Sequence, residues 1–89
     1  MLFLLTNRTR TNLNGEQYSE LAALAKAFYA SIPADVTIRG EWAALDRSCN
    51  YSLLEAPDIE TVRLLQAPFE PYTDTEIVPV NAIMGWTAS

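Results

Sequence analysis

Glu55 is the carboxylate whose surroundings most invite chemistry. It follows Leu53-Leu54 near the end of a segment that reads as an inner strand. A carboxylate in an apolar cleft has a raised pKa and can act as a general acid or base. The competing reading is structural: Glu55 pairs with Arg8 or Arg39, or reaches water at the end of the sheet. Ion pairs of that kind also perturb carboxylates. Trp42 and Tyr51 offer a different capability. They flank a hairpin, and an aromatic wall there would bind a flat apolar molecule and orient it by its polar tips. Phe69 and Tyr72 could close the same cleft. The favoured reading is the bland one: Trp42 and Tyr51 pack a core or an interface, and Phe69 and Tyr72 could just plug the end of the core.

The remaining residue types exclude more than they offer. Histidine is absent, which removes the commonest general base near neutral pH and the commonest transition-metal ligand. Cys49 is the only cysteine, so no disulfide forms within the chain. With no histidine to activate it, Cys49 reads as a small buried or half-buried residue. No acidic run has the spacing of a calcium loop, and no metal or cofactor is expected. Gly15, Gly40 and Gly85 are isolated, so no glycine-rich loop cradles a phosphate. Asp46 and Arg47 read as solvated turn residues. The net charge of −5, without a basic run, argues against nucleic acid as a partner.

These residues must be positioned by six short elements. The opening run Met1 to Arg8 is apolar without alternation, as in a strand covered on both faces. It lacks the basic start and the length of an export signal, and no segment approaches the roughly 20 apolar residues of a membrane span. A cytoplasmic location is expected, and the triplets Asn7-Arg8-Thr9 and Asn50-Tyr51-Ser52 are read as chance. Asn14 and Gln17 form a capping box for a helix over about Gly15 to Ser31. Its stripe of Tyr18, Leu21, Ala22, Ala25, Phe28, Tyr29 and Ile32 must lie on something. Pro33 ends it.

A second strand follows from about Val36 to Leu45. Val36, Ile38, Gly40 and Trp42 share one face, and Thr37, Arg39, Glu41 and Ala43 the other. Asp46-Arg47-Ser48 reads as a hairpin loop into a third strand, Cys49 to Ala56. Asp58 caps a second helix, which Pro68 and Pro71 end. A last strand runs from about Asp74 to Asn81, and Pro79 places it on an edge. The fold class is therefore α+β, with element order βαββαβ. The ferredoxin-like arrangement satisfies it: a four-stranded antiparallel sheet, strand order 4-1-3-2, with two helices on one face. Residues 1–82 form this domain and 83–89 a C-terminal tail in which Trp86 could dock on a neighbour.

The inner strands carry more apolar surface than one chain can cover. Phe3, Leu4, Leu5, Leu53 and Leu54 put large side chains on both faces, while both helices occupy only one. A patch of several hundred Å², on the order expected for three or four such residues, is large for a monomer. Each large side chain buried contributes about 1.5–3 kcal/mol, so a two-fold interface can outweigh association costs of ~4–15 kcal/mol. The expected partner is a second copy, sheet against sheet.

The segments Met1-Leu2-Phe3, Gly40-Glu41-Trp42, Tyr51-Ser52-Leu53-Leu54-Glu55-Ala56, Ala67-Pro68-Phe69 and Val78-Pro79-Val80 occur in an order that resembles the short bacterial dimeric α+β-barrel proteins catalogued as a domain of unknown function. The resemblance spans nearly the whole chain. It implies a ferredoxin-like subunit and a homodimer whose two sheets form a barrel. The wider superfamily includes cofactor-free monooxygenases, lactone isomerases and haem-degrading enzymes, so the fold does not select a chemistry. Members of this family often carry a histidine directly after the tryptophan. Ala43 stands there in this chain, and a haem would find no histidine ligand. The expectation is a homodimeric module that binds a small apolar or aromatic molecule, or a protein partner. The alternative is a cofactor-independent oxygenase or isomerase, with Glu55 as the acid or base. A third reading is a purely structural or regulatory dimer.

Overall fold

Phe3 and Leu5 bury on one side of the first strand while Leu2 and Leu4 face the other, and this alternation sets the whole architecture. The structure, a computed structural model, describes residues 1–83. The expected tail with Trp86 lies outside the described residues. The elements are β1 (Leu2–Thr9), α1 (Gly15–Ala30), β2 (Thr37–Ala43), β3 (Asn50–Glu55), α2 (Ile59–Gln66) and β4 (Thr73–Val80), with a short 3-10 turn at Ala67–Phe69 before β4. The sheet order is β2-β3-β1-β4, every pair antiparallel. This is the order expected from the sequence. The two strands with apolar residues on both faces are inner, and Pro79, which has no N–H to donate, lies on an edge strand. Among the described residues, no helix is long and apolar enough to cross a membrane.

Both helix starts are fixed by side chains. Asn14 Oδ1 accepts from the Gln17 backbone N–H at 2.8 Å, and Gln17 Oε1 accepts from the Asn14 N–H at 2.9 Å. Asp58 Oδ1 accepts from the Thr61 backbone N–H at 2.9 Å and from the Thr61 hydroxyl at 2.8 Å. These bonds satisfy N–H groups that have no partner within the helix. The core lies between the sheet and α2: Phe3, Leu5, Val36, Leu54, Ala56 and Val62 are buried, and Ile59, Leu65 and Ile77 pack against them. By contrast, no residue of α1 is buried.

One expectation about faces is corrected. The alternation from Val36 to Trp42 is broken by a β-bulge between Ile38 and Gly40. Ile38 lies opposite Leu54 on the helix side, but Gly40 lies opposite Leu53 and Trp42 opposite Tyr51 on the open side. An extra residue in one strand reverses the phase of everything beyond it. Glu41 and Ala43 are therefore turned to the helix side, not to a polar outer face. The Trp42 indole lies over Gly40, where a Cβ would stand 2.6 Å from its Cη2, so a larger residue there would make the exposed indole shift.

Candidate functional site

Helix α1 does not close onto the sheet. It stands off and leaves a cleft of about 350 Å³. From α1 the cleft is lined by Tyr18, Leu21, Ala22, Ala25, Phe28 and Tyr29. From the sheet come the apolar Leu5, Ile38 and Leu54 and the polar Asn7, Glu41, Asn50, Ser52 and Thr73. Phe69, in the turn after α2, closes one end, with its ring 6.2 Å from that of Phe28 in edge-to-face geometry. The hollow has a local cause. The alanines at 22 and 25 lie in the middle of the apolar stripe, and side chains that short do not reach across to the strands.

The polar end is built on Glu41. Tyr29 donates its phenol proton to Glu41 Oε2 at 2.6 Å, and the Ser52 hydroxyl donates to the same oxygen at 3.3 Å. Ser52 is itself buried, and this bond satisfies it. Partial burial of the Tyr29 hydroxyl, then its bond to Glu41 and that group's negative charge, push its pKa up to about 12. Asn7 accepts from the Thr75 hydroxyl at 2.8 Å, which fixes its amide beside the cleft. Among the described residues, no lysine or arginine lines the cleft. Among the described residues, no group of three or more acidic or cysteine side chains is placed to hold a metal ion.

The five residues singled out from the sequence do not form one site. Glu55 lies on the open side of the sheet, opposite Leu2, and is ion-paired with Arg39, whose Nε stands 2.7 Å from Glu55 Oε1. Pairing with Arg39 is the structural alternative that the sequence offers for Glu55; a place in an apolar cleft is not what the fold provides. Trp42 and Tyr51 are neighbours in register, as expected of a hairpin, but on that same open side. The Cys49 thiol beside Tyr51 pushes the phenol of Tyr51 up. Phe69 does reach the cleft, on the opposite side of the sheet from Trp42 and Tyr51. Tyr72 does not line it; its hydroxyl donates to Glu20 Oε2 at 2.9 Å and ties the segment before β4 to α1. Sequence reasoning missed Glu41, Tyr29 and Ser52 as a group. The available signal was Gly40, since an isolated glycine in a strand marks a bulge. Asp46 and Arg47 fall in the hairpin turn, with Arg47 in the left-handed region at φ 63°, and Cys49 is buried.

Element order, strand order and the placement of both helices define a ferredoxin-like α+β protein. The chain belongs to the family described as "Domain of unknown function (DUF3303)", whose model matches residues 1–88. Comparison with curated proteins gives no match. Among solved structures, the crystal structure of muconolactone isomerase is similar with a TM-score of 0.70 and 24% sequence identity, over 100% of this chain and 97% of that one. At that identity the likeness is one of fold.

Proposed function

We propose that the chain binds a small, largely apolar organic molecule between α1 and the sheet. The observation that carries this reading is a cleft of about 350 Å³ with apolar and aromatic walls and one polar end. That size is at the lower end of small-molecule sites, roughly 300–1,000 Å³, and such sites combine apolar walls with a few placed polar groups. Leaving the stripe of α1 uncovered costs stability that a simple structural module would recover by closing the gap. Amide chemical-shift mapping with a panel of small aromatic compounds tests the reading. Saturable shifts at Ala22, Ala25, Asn50 and Ser52 are expected. Shifts confined to Leu4, Leu53 and Val78, on the open face, would overturn it.

A second reading adds a proton-transfer step in the same cleft, without a cofactor. It is favoured by the position of Glu41, a carboxylate held by two hydroxyls at the polar end. Glu41 would take a proton from one carbon of the bound molecule and return it to another, an isomerisation that needs no oxidant. In this reading Glu41, not Glu55, is the acid or base. Exchange of ligand protons for deuterium in the same titration supports this step, and its absence for every bound compound leaves binding alone.

Self-association belongs to the proposal as well. Leu2, Leu4, Leu53, Val78 and Val80 share the open face with Tyr51 and Trp42, beyond reach of either helix. The rim carries both signs, with Arg39 and Glu55 at one end and Arg8, Asp74 and Glu76 at the other. A second copy related by a two-fold axis would meet matching apolar surface and no field of one sign.

A further inference from the structure

We infer that the cleft selects an organic cation, a small aryl or alkyl ammonium, in preference to a neutral or anionic molecule of the same shape. This rests on the cleft being a binding site. The first observation is where the charge of Glu41 goes. Both hydroxyls that bond to it, those of Tyr29 and Ser52, converge on Oε2. Oε1 accepts no hydrogen bond among the described residues. The ion pairs of the described structure are Arg10–Asp74, Arg39–Glu55 and Arg63–Glu60, and none includes Glu41. Its two partners are neutral donors, which orient the carboxylate without cancelling its charge.

The second observation is the surroundings. Among the described residues no lysine or arginine lines the cleft, so an anionic ligand would meet the solvent-exposed carboxylate of Glu41 with no cation beside it. The walls include the rings of Tyr18, Phe28, Tyr29 and Phe69. Aromatic faces attract cations and accept the apolar body that carries one. The net charge of −5 biases encounter in the same direction. An ammonium group donating to Oε1 would make a charge-assisted hydrogen bond, about twice as strong as a neutral one.

Three compounds of nearly one shape test the inference: 2-phenylethylammonium, 2-phenylethanol and phenylacetate, titrated against the parent chain and Glu41→Gln. The expected order is ammonium first, alcohol second by about fivefold or more, and phenylacetate weakest. In Glu41→Gln the ratio of ammonium to alcohol affinity should fall toward one, since glutamine still accepts from Tyr29 and Ser52 but carries no charge. Circular dichroism of the variant checks its fold. High salt applied to the parent chain gives a second readout and should weaken the ammonium selectively. An alcohol that binds as tightly as the ammonium, or an ammonium preference unchanged in Glu41→Gln, overturns the cation selectivity and leaves the cleft standing. If none of the three saturates, both readings fall.

Discussion

At the residue scale, two carboxylates that look alike in the sequence end in different surroundings. Glu55 follows two leucines, which in the sequence marks it as the candidate for an apolar setting; Glu41 sits between a glycine and a tryptophan in a strand rich in charge. Their fates are decided by neighbours the sequence does not rank. Arg39, displaced at the bulge, ion-pairs with Glu55, while Glu41 is turned toward Tyr29 and Ser52. Partial burial of the Tyr29 hydroxyl, and after it the bond to Glu41 and that group's charge, have a measurable signature. The folded-state pKa of Tyr29 is raised to about 12, above the ordinary value near 10. The stability this contributes is whole below about pH 10 and is lost as pH rises through about 12. Glu41→Gln removes the negative charge, so this tyrosine should ionise at lower pH in the variant. Phenolate absorbance against pH reads the change directly. A titration curve identical to the parent's would show that the bond does not hold the proton.

At the element scale most of the fold is legible. The capping box at Asn14 and Gln17 and the cap at Asp58 are local patterns, and local patterns survive translation into structure. Strand order is legible because inner and edge strands carry different residues, and Pro79 needs an edge. Two features are not legible for the same physical reason. A bulge is one residue of slippage between strands, and the apolar stripe of α1 reads the same whether it touches the sheet or stands away from it. Both depend on distances between elements distant in sequence. The alanines at 22 and 25 and the glycine at 40 are the only traces that the sequence keeps of them.

At the scale of the molecule, two apolar surfaces remain unfilled: the cleft under α1 and the open face of the sheet. The open face bears on assembly. Light scattering at micromolar concentration is expected to give a mass near twice 9.9 kDa, and Leu4→Glu, which puts a charge in the middle of that face, should halve it. A parent chain that stays at 9.9 kDa would remove the two-fold pairing. The cleft bears on function, and filling it is the most direct test. Ala25→Leu adds three carbons to the middle of the hollow. If the space is there to receive a ligand, the variant should be more stable by roughly 1–2 kcal/mol, from apolar area newly buried, and should no longer bind compounds that bind the parent. A variant that gains no stability and binds those compounds as tightly as the parent would contradict the account.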